Sequence, residues 1–234
     1  MSDCVLELID VSKDYRGLRP LRIARLAVGA GEPVAILGLD QVTAEVFVNL
    51  VTGATLPDRG DVKVFGRSTA SIADSTEWLA VVDRFGIVSE RAVLLDGLSV
   101  TQNLAMPFTL EIEPPPDRIR ACAEALAREV GLPDSCWTTP IAQLDRAAWV
   151  RVRLGRAIAL DPAVLLLEHV SAPLRGCDAI TRLGTEIRAV AARRGSALVA
   201  ATADEAFART VAARVLRLDP ATGRLTERRR WFAG

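Results

Sequence analysis

The sequence is poor in several features that would assign a function directly. Its four cysteines, Cys4, Cys122, Cys136 and Cys177, are scattered and form no CxxC pair. This spacing argues against a zinc site or a disulfide framework and favours reduced thiols in a cytosolic protein. Acidic and basic residues number 29 each, so no broad electrostatic attraction to nucleic acid or to an acidic membrane is expected.

Long apolar runs, internal repeats and low-complexity segments are also missing. No apolar stretch reaches the roughly 18 residues that a membrane-spanning helix needs. The N-terminus has no basic segment followed by an apolar run, so a secretion signal is not expected. The chain of 234 residues contains 50% hydrophobic and 25% charged residues. This composition is typical of a soluble globular protein with a substantial core. That length suits one large domain or two small ones.

Strand patterns recur along the chain. CVLELIDVSKDY, at the N-terminal end, alternates apolar and polar side chains, which predicts a half-buried strand. AVLLLEHV is a continuous apolar run closed by charge, the pattern of a strand buried on both faces. Further strands are predicted in LRPLRIARLAVGAGEPVAILG, LPDRGDVKVFG, FGIVSERAVLL, SALVAATA and, as the last of them, ARVLRLDP. The tail TERRRWFAG is a short basic-aromatic end.

Helical patterns alternate with these strands. In TAEVFVNLVTG the apolar side chains from Val46 to Val51 have helical spacing, and Gly53 ends the helix. The pattern is helical from about residue 101 to 132, interrupted by the rigid loop EPPPD, and again in DRAAWVRVRLGRAIALDP, which ends before a proline. Another helix is predicted over residues 178 to 194, and one more before the last strand. Such alternation indicates an α/β fold with a mainly parallel sheet and crossover helices.

One stretch, VAILGLDQVTAEVFVNLVTG, combines a strand, a glycine and a helix in the manner of a phosphate-binding loop. Such a loop reads G-x-x-x-x-G-K-[ST]: its glycines let backbone N–H groups approach the phosphates, its lysine bridges them, and its hydroxyl binds Mg²⁺. Gly38 keeps the first position, but Thr43, Ala44 and Glu45 replace the second glycine, the lysine and the hydroxyl. The loss of the lysine at position 44 and the gain of a carboxylate at position 45 make the site two charge units more negative. This change predicts much weaker triphosphate binding.

Over nearly its whole length the chain resembles an ATP-binding cassette (ABC) protein, the nucleotide-binding subunit of an ABC transporter. TLPDRGDVKVFG is similar to the family's turn and strand after the first helix, and LDRAAWVRVRLGRAIALDP to its signature motif and the helix that follows. VLLLEHVSAPL is similar to the Walker B strand and D-loop, and ALVAATAD to the strand that carries the switch histidine. The resemblance implies a P-loop NTPase-type α/β fold: a mainly parallel sheet, an antiparallel β subdomain and a helical subdomain.

The resemblance also implies a single ABC-type ATPase domain over residues 1–234. Its core and β subdomain would take about residues 1–90 and 155–234, and its helical subdomain about residues 95–150. The cofactors implied are ATP and Mg²⁺. The positions that would meet the nucleotide are an adenine-stacking aromatic, the phosphate loop and the signature motif: Tyr15; Gly38, Leu39, Asp40, Gln41, Val42, Thr43, Ala44, Glu45 and Val46; and Asp145, Arg146 and Ala147.

The catalytic positions that the resemblance implies carry altered side chains. Glu168 and His169 stand at the Walker B aspartate and glutamate. Glu168 could still reach a metal ion, and His169 is either a general base or a hydrogen-bonded side chain at a strand end. Glu90 replaces the Q-loop glutamine, and Ala203 replaces the switch histidine, which removes its chemistry.

Charge at the remaining motif positions favours structural roles. Asp145 is a good helix N-cap but a poor partner for a phosphate, and Arg146 suits a surface salt bridge better than a phosphate contact. Glu45 is expected in the first turn of its helix, where its charge would satisfy the helix dipole.

Two expectations remain open for the acids of the altered site. Glu45, Glu168 and His169 together would be a plausible metal set by ligand type. The competing expectation is that these acids pair with arginines such as Arg146 or Arg175, the latter standing at the D-loop aspartate.

The sequence therefore predicts a catalytically degenerate ABC subunit that acts as a structural or regulatory partner of a membrane permease. It would lie on the cytoplasmic face of the membrane, as a homodimer or a heterodimer with another ABC subunit, and would bind no nucleic acid. The family's permease-docking surface is resembled by the segment ERAVLLDGLSVTQNLAMPF. Its sequence pattern is typical of lipid- and lipoprotein-handling exporters. The alternatives are a divergent active ATPase that uses Tyr15, Gly38, Glu168 and His169, and a cytosolic binding module without a permease.

Overall fold

The structure is a computed structural model that describes residues 4–227. Strands and helices alternate over most of this span. The strands are β1 (Cys4–Lys13), β2 (Leu21–Gly29), β3 (Pro33–Leu37), β4 (Arg59–Val64), β5 (Arg67–Ser68), β6 (Phe85–Val88), β7 (Val164–Glu168), β8 (Ala197–Thr202), β9 (Arg214–Leu218) and β10 (Leu225–Glu227). The α-helices are α1 (Gln41–Val51), α2 (Ser75–Val82), α3 (Val100–Ala105), α4 (Asp117–Glu129), α5 (Arg146–Ile158), α6 (Cys177–Arg194) and α7 (Glu205–Val211).

The strands form two sheets of different kinds. The larger sheet has the order β10-β9-β3-β8-β7-β6, and all its neighbours are parallel except the edge pair β9 and β10. The smaller sheet, β2-β1-β4-β5, is antiparallel throughout. A mainly parallel sheet beside an antiparallel one, with helices, confirms the fold class predicted from the sequence.

The parallel sheet separates two hydrophobic cores because successive side chains of a strand point to opposite faces. Val34 and Ile36 of β3 enter the core shared with α1 and the antiparallel sheet. Ala35 and Leu37 enter the core shared with the remaining helices from α3 onward. β7 is buried at every position, as its continuous apolar run predicts.

Most predicted elements are present, and the departures are short ones. Gly53 follows the end of α1 with a φ of 71°, as a glycine after a helix often does. Helix α2 was not predicted, although Asp74 accepts a hydrogen bond from the backbone N–H of Glu77, an N-cap pattern readable in the sequence. Strands β5 and β10 were also missed, so ARVLRLDP does not hold the last strand. Residues 228–234 of the predicted tail lie outside the described span.

Helices α3, α4 and α5 pack against one another. They lie largely within the segment expected to form the helical subdomain, and the boundaries of that subdomain stay a prediction. Between residues 4 and 227, no helix is both long enough and apolar enough to cross a membrane.

Candidate functional site

The candidate site lies where β3, β6 and β7 end, since the carboxyl ends of parallel strands share one edge of a sheet. Only Gly38, Leu39 and Asp40 separate β3 from α1. In a phosphate-binding loop of the pattern G-x-x-x-x-G-K-[ST], the helix follows the loop. Here α1 already begins at Gln41, so the second half of that motif is helical and the loop that would surround a phosphate is not formed.

Asp40 occupies the N-terminus of α1. Its carboxylate accepts hydrogen bonds from the backbone N–H of Thr43 at 2.8 Å and from the Thr43 hydroxyl at 2.7 Å. These bonds hold the pKa of Asp40 below its usual value, with a smaller contribution from the charge of His169. An anion of the protein itself therefore sits at the helix end where a phosphate would bind.

Glu45 does not take the role predicted for it. The first turn of α1 contains no acidic residue, and the N-terminus is capped by Asp40. Glu45 lies further along the helix, where its carboxylate pairs with the Arg91 guanidinium at 3.2 Å. The expected helix-dipole role thus belongs to Asp40, because α1 starts three residues before the lysine position of the motif.

Ala44, at the lysine position, faces the protein interior. Its side chain is 0% exposed and belongs to the core under α1, with Phe47, Val48 and Val51 on the same helix face. Val42, by contrast, is exposed. The orientation of the helix, as well as the identity of the residue, therefore removes the lysine function from this position.

Glu168 ends β7 and is fully enclosed, with 0% of its surface exposed. Its two oxygens have separate partners: the Gln41 amide donates to Oε1 at 2.9 Å, and the Arg91 guanidinium donates to Oε2 at 2.7 Å. The prediction that the acids of this site pair with an arginine is confirmed for Glu45 and Glu168. The arginine is Arg91, however, rather than Arg146 or Arg175.

Arg91 was not singled out in the sequence, although it directly follows Glu90, the Q-loop position. The backbone N–H of Arg91 donates to the Ser89 hydroxyl at 3.1 Å, which helps to fix the turn after β6. Glu90 itself is exposed. A signal was available, because Arg91 follows one buried strand and Glu168 ends another, but the neighbouring order of those strands was not predicted.

Two arginines of α5 hold the segment that carries Arg91. Arg153 donates to the backbone carbonyls of Ala92 at 3.1 Å and Glu90 at 3.4 Å, and Arg156 donates to that of Val93 at 2.6 Å. Burial lowers the pKa of both guanidinium groups. The segment after β6 is thereby fixed to α5 on one side and to α1 and β7 on the other.

His169 is buried, with 9% of its surface exposed, and adopts a left-handed backbone with a φ of 47°. Its backbone N–H donates to the Ala201 carbonyl at 2.9 Å. Its Nε2 atom, also buried, has no hydrogen-bond partner within the described span. The side-chain hydrogen bond expected for a purely structural histidine is therefore missing at this nitrogen.

The other predicted positions lie apart from the ion-pair cluster that Glu45, Arg91 and Glu168 form. Tyr15 is half-buried, and burial together with the charge of Asp40 raises the pKa of its hydroxyl. The Gly17 backbone covers its ring so closely that a Cβ there would lie 2.4 Å from a ring carbon. Ala203 is exposed just after β8 and contributes no polar side chain.

The signature position is an ordinary helix start. Asp145 caps α5 by accepting from the backbone N–H of Ala148 at 2.7 Å, as predicted. Arg146 lies over the ring of Trp149, 4.7 Å from its centre, and Ala147 packs partly buried against the core.

These residues do not fit ATP with Mg²⁺. The helix N-terminus holds Asp40, the lysine position is buried, and both oxygens of Glu168 are engaged. The metal set of Glu45, Glu168 and His169 is not assembled, since residues 4–227 contain no group of three or more His, Cys, Asp or Glu side chains that could hold a metal ion.

Comparison with curated proteins gives a consistent set of relatives, although no family model matches the chain. "Methionine import ATP-binding protein MetN" of Brucella abortus is 29% identical over 215 residues, which cover 92% of this chain and 57% of that protein. "Sulfate/thiosulfate import ATP-binding protein CysA 2" of Chromobacterium violaceum is 32% identical, over 82% of this chain and 50% of its own length. The chain thus spans about half the length of the curated relatives it matches.

Solved structures agree with the fold. The chain superimposes on cbiO1 of Clostridium perfringens, part of the ABC transporter complex cbiONQ, with a TM-score of 0.80 and 19% identity, covering 96% of this chain and 87% of that one. The dimeric structure of MJ0796, a bacterial ABC transporter cassette, gives a TM-score of 0.77 at 21% identity, with 96% and 98% coverage.

Proposed function

The chain belongs to the ATP-binding cassette family, as a relative of the ATP-binding subunits of ABC transporters, and on that premise we propose that it is a catalytically degenerate member. It acts as a structural or regulatory partner of a membrane permease and does not drive transport by ATP hydrolysis. It takes the position of an ATP-binding subunit at the cytoplasmic face of the membrane, paired with a second copy or with another ABC subunit.

One observation carries this proposal: protein side chains already satisfy the groups that would serve a nucleotide and its metal ion. Arg91 and Gln41 engage both oxygens of Glu168, and Asp40 caps the helix that would receive a phosphate. Nucleotide binding would have to break these contacts and place a polyanion beside Asp40 and Glu45. Repulsion between the phosphates and these two carboxylates opposes nucleotide binding.

The relatives' names bear on the kind of permease. MetN and CysA are named for methionine import and for sulfate or thiosulfate import. These names favour a permease of the import type over the lipid or lipoprotein exporter suggested by ERAVLLDGLSVTQNLAMPF.

The test is co-expression of the chain with candidate permeases, followed by co-purification and measurement of ATP hydrolysis. We expect a stable complex whose ATPase rate is the same for the wild-type chain and for the variant Glu168→Gln. Hydrolysis at a rate ordinary for the family, lost in that variant, would disprove degeneracy. Failure to bind any permease would favour the cytosolic binding module.

A second candidate, a divergent ATPase, has one specific observation in its favour. The buried Nε2 of His169 has no partner between residues 4 and 227, so the imidazole retains an unused hydrogen-bonding group beside Glu168. A general base needs such a free nitrogen. If this candidate is right, His169→Ala abolishes measurable ATP hydrolysis, and an unchanged rate in that variant refutes it.

A further inference from the structure

The Arg91 side chain joins three elements that are distant in sequence. One terminal guanidinium nitrogen, Nη1, pairs with Glu45 of α1 at 3.2 Å, and the second, Nη2, pairs with Glu168 at the end of β7 at 2.7 Å. Arg91 itself stands after β6 and is 40% exposed, while the Glu168 side chain is fully buried. A buried carboxylate needs a counter-charge, because leaving it unpaired away from water is costly.

We propose that Arg91 is a tethered cation that replaces a divalent metal ion between Glu45 and Glu168. Its guanidinium presents separate N–H donors to the two carboxylates, which a planar fork with several donors does well. The proposal concerns the occupant of this site alone and does not depend on a permease partner.

The neighbouring groups are those that a divalent cation uses. The Glu45 and Glu168 carboxylates contact different nitrogens of the guanidinium, and the Gln41 amide donates to the second oxygen of Glu168. Carboxylate oxygens are ligands that Mg²⁺ and Mn²⁺ prefer. While Arg91 is present, its positive charge repels a second cation and its nitrogens engage an oxygen of each carboxylate. Removal of that charge therefore converts the cluster into a cation site.

The experiment measures Mn²⁺ binding to the full chain by electron paramagnetic resonance, without nucleotide. We expect Arg91→Met to bind one Mn²⁺ with an apparent Kd at least about tenfold lower than the wild type, since a positive charge has left the space between two carboxylates. Arg146→Met is the matched control: it removes the same charge from an exposed arginine on α5 and gains no Mn²⁺ site. The double variant Arg91→Met with Glu168→Gln loses the new site.

Thermal unfolding gives a second measurement if Arg91→Met is too unstable to titrate. We expect the single variant to melt about 5 °C or more below the wild type, and the double variant to recover most of that loss because its buried residue 168 is neutral. Mn²⁺ raises the melting temperature of Arg91→Met only. The proposal is wrong if the wild type binds Mn²⁺ as tightly as Arg91→Met, if Arg91→Met binds none, or if the double variant is no more stable than the single one.

Discussion

At the residue scale, the direction of a side chain decides as much as its identity. The lysine position of the phosphate loop holds Ala44, but the Cβ of Ala44 points into the core under α1. The sequence predicts Glu45 as the acid in the first turn of α1. In the structure, the acid at the N-terminus of α1 is Asp40. The loss of a phosphate site is thus a property of the backbone path as well as of the missing residues.

Restoring the lysine by Ala44→Lys is expected to destabilise the chain without restoring ATP binding. The new side chain would begin in a closely packed core, where both its volume and its charge are unfavourable, and we expect a loss of about 3 kcal/mol in the free energy of unfolding. Urea denaturation measures this loss. The control is Val42→Lys on the exposed side of the same helix, which should change stability little. Micromolar ATP binding by Ala44→Lys would contradict the inward orientation of the side chain at position 44.

Replacement of Asp40 tests the cap of α1. Asp40→Ala removes the acceptor for Thr43 and should cost about 1 kcal/mol at neutral pH, whereas Asp40→Asn, also a good N-cap, should cost much less. The pKa of Asp40 is lowered in the folded state, so its stabilisation is present above the carboxyl's unfolded pKa and is lost as the pH falls through the folded value. The stability difference between wild type and Asp40→Ala should therefore shrink in acid. A constant difference from neutral to strongly acidic pH would show that the charge of Asp40 is unimportant.

At the element scale, arginines join helices to one another and to the segment after β6. Arg153 and Arg156 of α5 hold the backbone after β6, and Arg151 of α5 pairs with Glu186 of α6 at 2.7 Å. Arg194, at the end of α6, pairs with Glu129 at the end of α4 at 2.6 Å and also with Asp161. Of these contacts, the pair of Arg194 with Glu129 joins the segment expected to be the helical subdomain, about residues 95–150, to helix α6 of the core.

Arg194→Met should weaken this attachment in a pH-dependent way. Hydrogen bonds from Arg194 hold the pKa of the Glu129 carboxyl below its usual value. The stabilisation from this pair is therefore present above the unfolded pKa of a glutamate, about 4.3, and is lost as the pH falls through the lower folded value. We expect Arg194→Met to lose about 1 to 2 kcal/mol at pH 7 and much less in acid, measured by urea denaturation across that range. Arg194→Lys, which keeps the charge, should lose less than Arg194→Met, and an equal loss at every pH would contradict the ion-pair explanation.

At the scale of the whole molecule, the site and the fold lead to different expectations for a nucleotide. An ABC domain that binds Mg-ATP is stabilised by it, by about 2.7 kcal/mol when the ligand is at 100 times its Kd. We expect millimolar Mg-ATP to leave the melting temperature of this chain unchanged, because Arg91, Asp40 and Gln41 already occupy the groups that would bind it. Differential scanning calorimetry with and without Mg-ATP, with a nucleotide-binding relative as the positive control, makes the comparison. A clear upward shift would show that the ion-pair cluster opens to admit the nucleotide.

The sequence by itself determined the class of fold and most of its elements. Strand alternation, the helical spacing in α1, the continuous apolar run of β7 and the breaks at glycines and prolines are local patterns, and local patterns fix local structure. The missed strands β5 and β10 have two and three residues, too few to show a period. Helix α2 has eight residues but none of them is buried, so its sequence carries no clear apolar face. The loss of the lysine, hydroxyl and switch histidine was also readable, because it concerns residue identity alone.

Only the tertiary structure decided what replaced the lost site. Glu45, Arg91 and Glu168 are separated by more than forty residues at each step, and no local pattern joins them. They meet because β6 lies beside β7 in parallel and α1 packs against β7. Strand order and helix orientation are set by the packing of the two cores on either side of that sheet. The choice of Asp40 over Glu45 as the helix cap, and of Arg91 over Arg146 or Arg175 as the partner of the acids, follows from that packing.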